Sequence, residues 1–374
     1  MIIKTITCHD VYNYGASLQA YALMHYLETE GHNIEIIDYL PDYLRHHYDF
    51  WYIPEDNRFH GICQKSRLLH LLYCIRLLPV TYRTWRRIKP FKKFKTDFLH
   101  CTKQYSSYEA LVSDPPKADC YVAGSDQIWN CLVHNGNDPA FYLNFGPERV
   151  KRISYAASFA ISDIPIQKQA TIKRYLKVFN AISVRETSGI RILNQLGYDG
   201  KQVLDPVCLL SPKQWLSFAG DEPLVCGNYL LVYNLFPGNE ALNNVVCKVA
   251  EKESLRIIAI NDTAKFASAD SNISNAGPIE FVNLIAYSQY VICDSFHGTV
   301  FSVLFHKPFE VYYNNINSSR IFDFLVTLGL QNRYNPLKPM NGQLVEWESV
   351  QEKLTSQIES SRDFLRYHLK HTDE

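Results

Sequence analysis

The chain has 374 residues, 47% apolar and 20% charged, which excludes a disordered or fibrous protein and leaves room for two lobes of ordinary size. Lysine plus arginine equals aspartate plus glutamate, 38 of each, so there is no overall positive field to collect nucleic acid and any anion site must be local. The start, MIIKTITCHD, lacks the basic flank and long apolar core of a signal peptide, and no run reaches the roughly 18 apolar residues of a membrane span, so a soluble, cytoplasmic protein is expected.

Ile2 to Thr7 is a β-branched run that predicts a first strand. A polar loop, Cys8 to Gly15, follows it. Ala16 to Glu30 then places Leu18, Ala22, Leu23 and Leu27 on a helical stripe that Gly31 stops. With Ile34 to Asp38 as the next strand, the chain opens as a βαβ unit, for which a right-handed crossover and a parallel sheet are the default. Between Lys65 and Lys103 eleven cations face one acid, Asp97. The leucines from Leu68 to Leu78 make the first half of this insertion, about residues 62–103, an amphipathic helix. Such a segment suits an anionic membrane surface, and equally a helix packed on its lobe or a lid over an anionic ligand.

Short strands recur at Asp119 to Ala123, Arg152 to Ala156, Ala181 to Val184 and Gln202 to Leu204, with helices at Gln167 to Phe179 and Glu186 to Leu196. A second series has strands at Tyr229 to Tyr233, Leu255 to Ile260, Tyr290 to Cys293 and Phe309 to Tyr313. Its helices fall at Glu240 to Lys252, Ile279 to Ser288 and Thr299 to Phe305. Between the series Ser211 to Asn228 reads as a loop. The expectation is an α/β protein of two Rossmann-like lobes with parallel sheets: 1–212, 213–344, and a C-terminal helix in 345–374 packing back on the first lobe. Ligands belong at the carboxyl ends of such strands, hence in the interlobe cleft. Ten cysteines without a CxxC pair and thirteen histidines without zinc spacing predict buried free thiols, a reducing compartment and no metal site.

Four strand ends carry chemistry. In YVICDSFHGTVF a buried strand runs into Asp294, Ser295, His297 and Gly298 before a helix starting near Gly298. Backbone N–H groups and the positive helix end suit phosphate or carboxylate there, and His297 can bind a phosphate and protonate it, or simply pack beside a capped helix. In YVAGSDQIWN, Gly124 permits close approach. Ser125, Asp126, Gln127 and Trp129 then offer a hydroxyl, a carboxylate, an amide and a flat face, a set that suits a sugar, with Asp126 as a base. The bland alternative is a capped helix start with a core tryptophan. In SVRE, Arg185 can fork onto a carboxylate or phosphate, or pair with an acid such as Glu186. The loop HDVYNYG has one glycine, so it is neither a dinucleotide fingerprint nor a P-loop, and Asn13, Tyr14 and Gly15 are ligand contacts or a structural turn.

The ordered set NYGASLQAYAL, GSDQIWN, SYAASF, SVRE, LDPVCLL and CDSFHGTVFSVLFHKPF resembles the polysaccharide pyruvyltransferase family from residue 5 to about residue 330. The resemblance implies a GT-B-like arrangement of the two lobes. It implies phosphoenolpyruvate as a donor co-substrate without a resident cofactor, and as acceptor a bacterial surface glycan, such as a capsule or exopolysaccharide, or its lipid-linked precursor. It assigns His297 and Arg185 to the donor, with Ser295 and Gly298 beside them, and a further donor cation to Arg320 or, alternatively, Lys307. Asp126 is then the base, with Asp10, Asp294 and Glu186 as chemical equals, and Asn13, Tyr14, Gly15, Gly124, Ser125, Gln127 and Trp129 face the acceptor. Some members carry a base two positions before the histidine where this chain has Ser295. A nucleotide-sugar glycosyltransferase and a silent glycan-binding protein are the competing readings.

Overall fold

In the computed structural model, which describes residues 1–45, 66–235, 239–261, 264–312, 319–336 and 345–370, two five-stranded parallel sheets face each other. The first lobe contains β1 (Ile2–Ile6), α1 (Tyr14–Thr29), β2 (Asn33–Tyr39), α2 (Asp42–Arg45), α3 (Arg67–Phe98), β3 (Cys101–Tyr105), α4 (Tyr108–Ser113), β4 (Cys120–Ala123), β5 (Lys151–Ser154) and α5 (Ile166–Leu176). It continues through β6 (Ser183–Val184), α6 (Thr187–Leu196) and β7 (Lys201–Gln202). Its strands run in the order β3-β2-β1-β4-β5. Bridges from Ile153 to Ala181 and from Ala157 to Val184 join the β6–β7 pair to this sheet.

The second lobe begins with α7 (Pro212–Ala219), β8 (Tyr229–Asn234), α8 (Glu240–Glu253), β9 (Arg256–Asn261), β10 (Ser271–Ile273) and α9 (Pro278–Ala286). It closes with β11 (Tyr290–Cys293), α10 (Phe296–Leu304), β12 (Phe309–Val311) and α11 (Ser319–Leu328), in the order β10-β9-β8-β11-β12. α12 (Trp347–His368) then crosses between the lobes. Lys353 reaches the Leu328 carbonyl at 3.4 Å, and further along Ser361 Oγ accepts the Leu204 N–H at 3.0 Å and Arg362 donates to the Leu209 carbonyl at 2.8 Å. The C-terminal helix therefore packs back on the first lobe, as expected.

The central strands β1, β4, β8 and β11 bury nearly every side chain, which parallel strands covered by helices on both faces require. Strand order reverses between β1 and β4 in one sheet and between β8 and β11 in the other. Such reversals open a crevice at the carboxyl ends of the strands, because neighbouring connections leave in opposite directions. The lobes also share apolar core. Tyr14 of α1 stacks on Phe281 of α9 with centroids 4.5 Å apart, and its hydroxyl donates to the Ala276 carbonyl at 3.1 Å.

Ser211 to Asn228, expected as a loop, contains α7, started by a Ser211–Gln214 capping box and anchored by the fully buried Trp215. The basic insertion is one helix through Pro79 and Pro90; of its expected span, residues 62–65 lie outside the described residues, as does Tyr313 of the last expected strand. Cys226 and Cys247 are exposed, against the expectation of buried thiols, while Cys8, Cys120, Cys131, Cys208 and Cys293 are buried. Among the described residues no helix is long and apolar enough to cross a membrane.

Candidate active site

The two reversal points face one another across a cavity of about 310 Å³. From the first lobe it is lined by Cys8, Val11 and Asn13 after β1 and by Asp126 and Gln127 after β4; from the second, by Leu235 after β8, Asp294 to His297 after β11, and Arg320 of α11. Val133, Asn135 and Ile321 complete the wall.

At the β11 corner Ser295 caps α10, its Oγ accepting the Gly298 N–H at 3.4 Å. The helix starts at Phe296, two residues earlier than the pattern suggested, so His297 lies in its first turn. The N–H groups of that turn have no partner within the helix and carry its positive end, which favours an anion. His297 crosses to the other lobe and packs on α1: a Cβ added to Gly15 would fall 1.9 Å from its Nδ1. The absence of a side chain at position 15 is what admits the imidazole.

Behind His297 lies a buried charge cluster. The Asp205 carboxylate accepts hydrogen bonds from Arg185 Nη1 (2.5 Å), Ser125 Oγ (3.0 Å) and the Val207 N–H (3.1 Å), and His297 Nε2 stands 3.7 Å away, beyond hydrogen-bonding length. Burial pushes the Asp205 pKa up, but His297 and Arg185 together outweigh it and hold the carboxyl below its usual range. Arg185 lies with its guanidinium 4.8 Å from the Phe296 ring. Its Nε and Nη2 are buried and make no hydrogen bond among the described residues. Two buried guanidinium nitrogens without acceptors carry a desolvation cost that an anionic ligand would offset. A smaller cavity of about 160 Å³, lined by Arg185, Asp205, Phe296, Arg320 and Gln357, adjoins the first across Phe296 and Arg320. His297, Arg185 and Arg320 thus surround Phe296 with three groups able to bind an anion.

The structure separates the four candidate bases. Glu186 is fully buried, its Oε1 accepting from Ser158 Oγ and the N–H groups of Phe159 and Ala160, so it serves the backbone. Asp10 pairs with Lys95 at 2.8 Å and does not line the cavity. Asp294 lines it but is fully buried and accepts the Leu235 N–H at 2.7 Å. Asp126 lines the cavity half-buried, at a left-handed φ of 84° that turns the chain there.

Several residues expected at the acceptor sit elsewhere. Trp129 is fully buried, stacked on Tyr142 and donating to the Phe141 carbonyl at 3.0 Å, so it offers a sugar no face and is a core residue. Tyr14 is interlobe packing, and Gly15 meets His297. Gly124 approaches the neighbouring strand instead of a ligand: an added Cβ would lie 3.2 Å from Thr7 Cβ. Ser125 is fully buried and spent on Asp205. Gly298, expected at the donor, is buried against Cys293. Asn13 and Gln127 do line the cavity, although Asn13 also caps α1, accepting the Ala16 N–H at 3.2 Å. Of the two alternative cations, Arg320 lines both cavities. Lys307 lies beyond the far end of α10, roughly 10 Å or more along the helix axis from His297, where burial lowers its pKa.

Sequence reasoning missed Asp205, Cys8 and Asn135. Asp205 had a signal, an acid at a strand end just as Arg185 is, but its partners lie 20 and 80 residues upstream. A larger hollow, about 740 Å³, lies at the edge of the first lobe. Its one buried cation, Arg152, donates to the carbonyls of Leu143, Phe145, Gly146, Pro147, Glu148 and Val150, which leaves its guanidinium no donor for a ligand.

Two parallel-sheet lobes whose reversal points enclose a polar cavity define a GT-B-like α/β protein. The sequence matches the polysaccharide pyruvyl transferase family model over residues 13–315, and the chain belongs to that family. Family membership makes it a transferase with a glycan acceptor. Among solved structures, a protein from Listeria monocytogenes described as a UDP-N-acetylglucosamine 2-epimerase matches at 9% identity, covering 100% of this chain and 97% of that one, with a TM-score of 0.51. The Neisseria meningitidis UDP-GlcNAc 2-epimerase matches at 11% identity, with 99% and 94% covered and a TM-score of 0.44. The Escherichia coli ADP-heptose heptosyltransferase II matches at 11%, with 97% and 100% covered and a TM-score of 0.37. No curated protein matched the chain.

Proposed function

We propose that the protein transfers the pyruvyl group of phosphoenolpyruvate to sugar hydroxyls of a surface polysaccharide or its lipid-linked precursor, forming a pyruvate ketal. The observation that carries this reading is the convergence of His297, Arg185 and Arg320 around Phe296, at a helix N-terminus and facing Asp126 across the cavity. Phosphoenolpyruvate presents two anionic groups, a carboxylate and a phosphate, and three cationic or imidazole groups suit both. It enters as a co-substrate, and the chemistry draws on no resident cofactor or metal.

Asp126 takes the proton of the attacking sugar hydroxyl as its oxygen bonds to C2 of the donor, and the C2–C3 π electrons take up a proton from water at C3. The resulting tetrahedral adduct loses inorganic phosphate, with the C–O bond electrons leaving on the phosphate. A second sugar hydroxyl then adds to C2 and closes the ketal, and its proton ends on the released phosphate. Arg185, Arg320 and the first turn of α10 stabilise the phosphate charge as that bond breaks, the preorganised electrostatics that often supply the largest part of an enzyme's rate. His297 binds the departing phosphate and can protonate it. Asp205 holds Arg185 and His297 in place from behind.

The test supplies phosphoenolpyruvate or nucleotide sugars with a panel of glycosides and follows inorganic phosphate, nucleotide release and product mass. Acceptor-dependent phosphate release, with a product heavier by one pyruvate ketal, is the expected result. Nucleotide release would instead make the protein a glycosyltransferase, and silence with every donor would leave a glycan-binding protein.

A further inference from the structure

α3 is held to the protein by one face of its C-terminal half. Ile88, Phe91 and Phe94 are buried there, Lys95 bonds to Asp10 and Asp38 at 2.8 and 2.9 Å, and Arg87 donates to the Tyr12 carbonyl at 3.1 Å. In the N-terminal half most of the described exposed apolar side chains lie on another face. Leu68, Leu71, Ile75, Tyr82 and Trp85 are between 43 and 65% exposed. At about 100° per residue they form a single stripe roughly 175° around the helix from the packed face, so they point away from the body of the protein. Exposed Arg86, Lys89 and Lys93 continue the same outward stripe.

We propose that this outward face of α3 binds the surface of a membrane rich in anionic phospholipid and holds the active cavity against it. An outward apolar stripe with aromatic side chains, bordered by cations, is the pattern of a helix lying in the lipid interface. Charge selects the occupant: from Lys65 to Lys103 eleven cations face one acid, which an anionic headgroup layer complements and a second copy of the same helix would repel. The position suits the reading above, on which this inference rests for the acceptor alone. Lys95 and Arg87 tie α3 to the loop whose Val11 and Asn13 line the cavity, so a lipid-linked glycan lying beside the helix would meet the cavity mouth.

The experiment sediments the full chain, without donor, with phosphatidylcholine vesicles and with vesicles containing about one-third phosphatidylglycerol. At least about tenfold tighter binding to the anionic vesicles is expected, weakened by salt at about 0.5 M. The double substitution L71E/I75E should reduce that binding at least about tenfold while leaving transfer to a water-soluble glycoside unchanged. Absence of binding, equal binding to both vesicles, or undiminished binding by the double variant overturns the proposal. So does light scattering that shows a dimer converted to monomer by L71E/I75E. Because the vesicle measurement uses no donor, a failed pyruvyl-transfer reading appears only in the soluble-glycoside assay and leaves the lipid result standing or falling alone.

Discussion

Replacing Gly15 by alanine adds one methyl group at the point where the two lobes meet, 1.9 Å from His297 Nδ1 and 2.2 Å from its Cε1. Ordinary contact begins near 3.4 Å, so the imidazole or the whole second lobe must retreat by about 1.5 Å, and misplacement of a reacting group by about 1 Å costs on the order of a hundredfold in rate. That is about 2.7 kcal/mol of barrier. Stability should fall modestly or stay level, because overpacking a filled contact typically costs about 1–3 kcal/mol, which the preference for alanine over glycine in a helix such as α1, about 0.5–1 kcal/mol, offsets only in part. The assay is acceptor-dependent phosphate release for kcat/KM, with thermal unfolding alongside. A fall of about a hundredfold with an unchanged or modestly lowered Tm is expected. In the His297→Ala background Gly15→Ala should cost little more, since the group it displaces is gone. Wild-type kcat/KM for Gly15→Ala would refute the claim that His297 works from its seat on α1.

His297→Ala alone should lower turnover at least about a hundredfold, measured as phosphate release at saturating donor. Asp205→Asn leaves Arg185 and His297 without their shared buried counter-charge, and breaking such a pair typically costs about 3–5 kcal/mol, read as a lower denaturation midpoint. The folded Asp205 carboxyl sits below its usual value of 3.8, so the stability it supplies is complete above about pH 4 and is lost as pH falls toward the folded value. The acid limb of a stability–pH curve should therefore flatten in Asp205→Asn; an unchanged limb would contradict that assignment. Trp129→Ala should destabilise the first lobe by about 3–5 kcal/mol, and the milder Trp129→Phe should leave acceptor KM unchanged, where a stacking residue would raise it. Arg320→Ala should raise donor KM while Lys307→Ala leaves it unaltered, checked in the same phosphate assay.

Within the chain, the alternation of strand and helix was legible because a buried parallel strand must be a short apolar run and a covering helix must carry a stripe. The elements around β1, β4, β8 and β11 follow from that rule. The weak edge strands β3 and β10, of five and three residues, and the eight-residue α7 escaped it, because so few partly exposed residues leave little periodic signal. The strand-end residues Asp126, Arg185 and His297 were readable as chemistry, since polar groups directly after buried strands have few structural reasons to be there. Their partners were not. Asp205 joins Ser125, Arg185 and His297, separated by up to 172 residues; tertiary packing of the first lobe's strand ends gathers the first three, and docking of the second lobe adds His297. The same packing decided the fates of Trp129 and Gly15. A tryptophan and a glycine beside a polar turn look alike in sequence whether they face a cavity or a core, because residue type sets what a side chain can do and the fold alone sets which surface remains open to it.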